Sequence, residues 1–211
     1  MSRALESGVP VGTRSGTAER NTAERILDVG ERLVQSRGYN AFSYADVAAE
    51  LDVTKAALHY HYAGKAELGE ALLSRYVTRF AEALAVIDAK PADAPSKLVS
   101  YAELYLEVLR RQGMCLCGML AAEFQTLPEP MRAIVIRFFT DNETWLSRVL
   151  KQGRQEGALH FTGSTRETAR FVVAALEGAM LVARPFGDLA RFRQAVSSLI
   201  ASLRSQSPAH R

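Results

Sequence analysis

The chain has 211 residues, 48% of them apolar and 23% charged, enough for one large domain or two small ones around a proper core. No run of about 18 uninterrupted apolar residues occurs, and the first residues lack the apolar centre of a signal peptide, so neither a membrane span nor export is expected and the cytoplasm is the expected compartment. The formal net charge of +3 points only weakly to nucleic acid, because residues 1–90 hold 11 Lys and Arg against 12 Asp and Glu and the remainder holds 15 against 11.

Helical periodicity runs through nearly every segment and no stretch shows strand alternation, so an all-α fold is expected. A first helix is predicted over Ala18–Arg37, with Ile26, Val29, Leu33 and Val34 on one face and Gly38 at its end. Two short helices follow, over Tyr44–Leu51 and Lys55–Tyr60. A longer one runs from Lys65 to about Ile87 through Leu68, Leu72, Leu73, Tyr76 and Phe80. The stretch 89–95, with prolines at 91 and 95, marks a boundary. Beyond it, helices are predicted over Ser96–Gln112, Leu116–Gln125, Pro130–Glu156, Arg166–Arg184 and Leu189–Ser205. Residues 157–163 form either a turn or a short extended piece. The expected organisation is a flexible arm (1–17), a first, small helical unit (18–64), a connecting helix (65–90), a second, larger helical domain (91–205) and a tail (206–211).

The segment Gly38–Tyr62 carries the most information. Ser43 with Asp46 three residues on has the form of a capping box. Leu51-Asp52-Val53 interrupts the helix that follows, and Asp52 is a residue type that tolerates the left-handed conformation a sharp turn needs. Thr54 is then placed to cap the next helix, while Val47, Leu51, Val53 and Leu58 share a small core. Two short helices set at an angle over such a core form a helix-turn-helix. The second carries Lys55, small Ala56 and Ala57 that permit close approach to base edges, and the run His59-Tyr60-His61-Tyr62. A helix turns four successive rings through all directions, so some of them face outward and call for a partner. Lys65 follows, placed to meet a phosphate.

Residues of about Ala18–Ile87 resemble the N-terminal domain of the tetracycline-repressor family. The resemblance rests on Gly38-Tyr39, Phe42-Ser43, Asp46-Val47-Ala48, Val53-Thr54-Lys55, Leu58, Tyr60-His61-Tyr62, Lys65 and Leu68. It implies a homodimeric regulator that binds a double-stranded DNA operator and responds to a small-molecule effector through a larger helical domain. The residues expected at DNA are Ser43, Tyr44, Thr54, Lys55, Ala57, His59, Tyr60, His61 and Lys65. Two departures stand out: the family usually has Gly where Asp52 stands, and an aromatic ring where His59 stands.

In the second half, Met131, Val135, Phe138, Asn142, Trp145 and Val149 fall on one helical face, and Tyr101, Tyr105 and Leu109 form another stripe. An ordinary core explains both; an effector pocket lined by Tyr105, Cys115, Phe124, Phe138, Asn142 and Trp145 is the functional alternative. The last two helices are expected, by resemblance, to form a four-helix dimer interface through Val172, Leu176, Ala179, Phe192, Val196 and Leu199.

Cys115 and Cys117 lie two residues apart, which gives neither a disulfide framework nor a zinc ligand set, so no metal or cofactor is expected. The run from Cys115 to Met131 resembles a subgroup of these repressors that includes electrophile-sensing members. Two readings stay open: an inert buried pair, or a sensing Cys115 whose thiol is acidified by Arg110 or Arg111. An enzyme using Cys115 with His160 or His210 is not expected, since no third group to hold such a base is evident.

Overall fold

The computed structural model describes residues 14–204. The expected arm (1–17) and tail (206–211) therefore lie mostly outside the described residues. Among the described residues the chain forms α1 (Arg14–Arg37), α2 (Tyr44–Leu51), α3 (Lys55–His61), α4 (Lys65–Ala89), α5 (Ala94–Arg110), α6 (Leu116–Ala122), α7 (Glu129–Gln155), α8 (Thr165–Ala183) and α9 (Leu189–Leu203). Short 3₁₀ turns, Phe124–Thr126 and Arg184–Phe186, follow α6 and α8. The last residues assigned to the arm, from Arg14, are helical and belong to α1. The ambiguous stretch 157–163 is partly extended: Leu159 bridges Arg204, and the His160 N–H donates to the Leu203 carbonyl at 2.8 Å.

Local chemistry sets most helix starts. Ser43 and Asp46 form a reciprocal capping box at α2, as do Ser164 and Glu167 at α8. Thr54 caps α3, and Asp93 caps α5 ahead of Pro95 in its first turn. Asp52 ends α2 in the left-handed region at φ 54° and ψ 48°, the conformation expected of that turn.

α1, α2 and α3 form a small head over Ile26, Leu33, Phe42, Val47, Leu51 and Leu58, all buried. α4 leaves the head, packs against α1, and continues into the body against α5 and α7. There α7 lies along α8, α8 along α9, and α9 back against α5. The stripe Met131, Val135, Phe138, Asn142, Trp145 and Val149 is buried throughout, as the periodicity of α7 predicts.

Candidate functional site

The head presents α3 outward. Leu58 anchors it, fully buried, while Lys55, Ala56, His59 and Tyr60 are exposed; Tyr60 is 73% exposed, unusual for a ring with no functional surface to serve. The Tyr60 ring stands edge-on to His61 at 5.2 Å. The His59 ring lies 4.7 Å from Tyr44, and its Nδ1 is 3.1 Å from the Ala63 carbonyl. Tyr44 bridges the two helices from α2: its hydroxyl donates to the Tyr62 carbonyl at 2.9 Å, and burial together with Glu67 pushes its pKa up to about 12. Thr54 and Ser43 are exposed at the helix starts they cap, and Ala57, in the first turn of α3, is half-buried.

Lys65 differs from its expected setting. Its Nζ sits 4.7 Å from the centroids of both Tyr39 and Phe42, half-buried, and desolvation lowers its pKa. The ammonium is held against two rings of the head's own core, a packing role that the sequence alone does not reveal.

The acidic balance of the head also finds its explanation. On α4, Arg75 reaches Glu24 and Asp28 at 2.9 Å and Glu31 at 3.1 Å, and Arg79 reaches Glu31 at 2.5 Å. Arg32 pairs with Glu50 and Arg37 with Asp46. These carboxylates are neutralised within the head and its junction with α4, whereas Lys55 on α3 enters no ion pair among the described residues.

Head and body are joined at the turn after α1. Gly38 adopts φ 92°, which favours glycine, and any Cβ there would run into the Glu123 carboxylate. That carboxylate accepts from the backbone N–H of Tyr39 at 2.6 Å and of Asn40 at 3.1 Å, while Asn40 Nδ2 donates to Thr126 Oγ1 at 2.7 Å. The Met114 N–H donates to the Gln35 carbonyl at 3.0 Å, and Arg184 donates to that of Ser36. Nothing local marks this role of Glu123, because its partner is a turn 83 residues away.

Inside the body an aromatic cluster collects Tyr76, Phe80, Tyr101, Tyr105, Phe138 and Trp145. Phe80 meets Phe138 edge-on at 5.0 Å, and Trp145 stacks on Tyr101 at 5.5 Å. Asn142 accepts the Tyr101 proton at 3.0 Å and donates to the Phe138 carbonyl at 2.8 Å. Because Tyr101 donates to Asn142, the 3.0 Å contact between the Tyr101 and Tyr105 hydroxyls must be donated by Tyr105. Tyr105, Phe138, Asn142 and Trp145 are thus brought together, with Cys115 one step away through Tyr76. Phe124 is not: it sits half-buried in the 3₁₀ turn beside Glu123 and makes no ring contact with the cluster among the described residues.

With this geometry in view, comparison with known proteins is decisive. Residues 26–72 match the family profile of bacterial regulatory proteins of the tetR family, and residues 94–199 match the tetracycline-repressor-like C-terminal domain. The chain belongs to the tetracycline-repressor family. It is 25% identical over 191 residues to the transcriptional repressor NemR of Escherichia coli K12, covering 87% of this chain and 96% of that one. It is also 25% identical over 165 residues to the repressor DhaR of a Mycobacterium species, covering 75% and 80%. A family regulator from Agrobacterium tumefaciens superposes with a TM-score of 0.85 at 30% identity, covering 89% of this chain and all of the other. One from Legionella pneumophila gives 0.79 at 31%, covering 87% and 98%. Regulators of this family bind operator DNA and act as dimers, and no described helix here is long and apolar enough to cross a membrane.

The structure bears on one open reading of this tetracycline-repressor chain, the acidified thiol, and corrects one expectation, the dimer-facing residues. Arg110 and Arg111 turn outward to Glu107, at 3.0 and 2.9 Å, and do not acidify a thiol. Cys115 and Cys117 are both buried, and burial, then Glu177 for the first and Cys115 for the second, push their pKa values well up. The correction concerns the last two helices. Val172, Leu176, Phe192 and Leu199 are spent on the protomer's own core, with Ala179 and Val196 at its edge. The free apolar face of α8 lies about half a turn round, where Phe171, Leu181 and Val182 are 58%, 61% and 60% exposed beside Ala174 and Gly178.

Proposed function

We propose that the chain is a homodimeric cytoplasmic repressor that binds a two-fold DNA operator through α3 and releases it when a small molecule occupies the aromatic core of the body. One observation carries the DNA assignment: α3 is anchored by Leu58 alone and leaves Lys55, His59 and Tyr60 in solvent, on a helix whose start is fixed by Thr54. Lys55 supplies phosphate charge, and the small Ala56 lets the backbone near the base edges. Of the other residues proposed at DNA, Ser43, Tyr44, Thr54 and Ala57 border this surface, His61 backs the Tyr60 ring, and Lys65 acts first by packing the head.

The curated relatives named as repressors support the sign of regulation. Release requires an effector that favours a dimer arrangement unable to span two half-sites, since equal affinity for both arrangements shifts nothing. Binding within the body, without covalent attack on a thiol, fits two cysteines that are buried and protonated. The free face of α8, with Ala174 and Gly178 permitting close helix approach, is the surface proposed to meet a second copy.

The test is fluorescence anisotropy on operator fragments selected from genomic DNA by the protein itself. Lys55→Ala combined with Tyr60→Ala is expected to abolish specific binding with helix content and dimer mass unchanged. Leu181→Glu is expected to yield monomers in sedimentation and to weaken operator binding. Full-strength binding by the α3 double variant would remove α3 as the reading helix.

A further inference from the structure

We propose that the effector is an organic cation, an amine or quaternary ammonium, held by the Glu177 carboxylate against the aromatic cluster; this rests on the reading of the body as the effector site. Glu177 lies on α8 in the seam with α6. Its residue surface is partly open, yet Oε1 has neither solvent contact nor a hydrogen-bond partner among the described residues. Gly118 of α6 makes room for the head group, since a Cβ there would collide with Oε2.

The surrounding donors are already committed. Tyr76 gives its proton to Cys115 Sγ at 3.5 Å, Tyr101 gives its proton to Asn142, and Tyr105 gives its proton to Tyr101. The carboxylate is left with the Cys115 thiol, a weak donor. No Lys, Arg or His pairs with it among the described residues. Asp88 makes the contrast: it accepts from Trp145 Nε1 at 3.0 Å and is met by Lys97 at 3.7 Å and Arg148 at 3.4 Å. A buried acid without a counterion beside electron-rich rings is the composition that recognises an ammonium group, through charge and through the ring faces.

The titratable groups near enough to feel the Glu177 charge are Tyr76 from α4, Tyr101 and Tyr105 from α5, and Cys115 and Cys117 from the start of α6, and burial drives all five well above neutrality. Burial also pushes Glu177 up to about 7, so among these groups it is the one that exchanges a proton near neutral pH. A bound cation favours the ionised carboxylate and displaces that proton to solvent.

The experiment uses the full chain, with its single tryptophan, Trp145, as the reporter. Benzyltrimethylammonium and its neutral carbon isostere, neopentylbenzene, are titrated into the parent and into Glu177→Gln, with operator release followed in parallel. The parent is expected to prefer the cation by on the order of tenfold or more, and Glu177→Gln to lose that preference while still binding operator. In the parent alone, cation affinity is expected to fall about tenfold from pH 8 to pH 6, which keeps the proposal testable if the variant folds poorly. Equal affinity for the two probes, an unaltered preference in Glu177→Gln, or a flat pH profile would overturn the cation site. If neopentylbenzene alone binds and frees the operator, the effector core stands and only its charge preference falls. If neither probe moves Trp145 or the operator, both readings fail.

Discussion

The head and the body are both helical, but different ranges of interaction hold them. In the head, the elements that matter are fixed within a few residues: Ser43 with Asp46, Asp52 at its left-handed turn, Thr54 over Ala57. In the body, the decisive contacts join residues tens of positions apart, such as Tyr101 with Asn142 or Cys115 with the Met180 sulfur. A short, locally specified unit can keep its shape while being tilted as a whole. A core of long-range aromatic and polar contacts changes when one group is inserted into it. The arrangement suits a rigid reader carried on a responsive body, joined where Glu123 grips Tyr39 and Asn40.

If the two regions are separable in this way, removing the head's central ring should damage one and spare the other. Phe42 is buried, edge-on to Tyr39 at 5.8 Å and under the Lys65 ammonium. Phe42→Ala is expected to cost about 3–5 kcal/mol and to abolish operator binding. Trp145 fluorescence and its thermal transition should stay close to those of the parent. A single shared loss, with Trp145 unfolding at the same lowered temperature, would show one cooperative unit.

The buried acid of the body gives the next effect, and its sign follows from proton linkage. Below about pH 4.5 Glu177 is protonated in both the folded and unfolded chain and contributes no difference. Between there and about 7 the unfolded chain releases the proton while the folded chain keeps it, so stability falls as pH rises and levels off beyond. Glu177→Gln should therefore gain on the parent across that window, by roughly 2–4 kcal/mol at pH 8. Denaturant unfolding of both proteins at pH 5 and pH 8 checks it; a constant difference at the two pH values would mean that the carboxyl is effectively solvated.

A smaller effect is expected where the body's polar chain ends. Asn142→Ala leaves the Tyr101 hydroxyl without its acceptor in a dry core, which costs about 1–3 kcal/mol, while operator affinity without effector should change little. A strong loss of DNA binding in this variant would show that head and body are coupled even in the absence of a ligand.

The same contrast explains which features could be seen in the sequence. Helix order, the Ser43–Asp46 capping box, the Asp52 turn and the buried stripe of α7 are functions of spacing and residue type, and they are legible in the sequence. The outward face of α3 is legible for the same reason, as a run of rings too long for one face. What spacing does not carry is the partner of each face. Both sides of α8 are apolar, so periodicity could not tell Val172 and Leu176, which face the protomer's own core, from Phe171 and Leu181, which face outward. Spacing gives no sign that the Lys65 ammonium lies over Tyr39 and Phe42, and Arg110 resembles a thiol activator until Glu107 claims it. Glu177 is the one charged residue between Phe171 and Ala183 of α8, and nothing local to it names its surroundings.

The smallest expected effect tests the most local feature of the head. Asp52 occupies the left-handed region at φ 54°, where a side chain bearing a Cβ pays a steric cost that glycine avoids. Aspartate pays less of it than most residues, so relief is modest. Asp52→Gly is expected to stabilise the folded chain by about 1 kcal/mol or less, since glycine's freedom in the unfolded chain offsets part of the gain. Asp52→Val should destabilise by more, because branching at Cβ worsens the same clash. Neither change touches α3's exposed side chains, so operator affinity at low temperature should match the parent's, with only the melting temperature moving. If Asp52→Gly lowers affinity while raising stability, the aspartate is holding the angle between α2 and α3 as well as tolerating it, and the turn belongs to the reading surface.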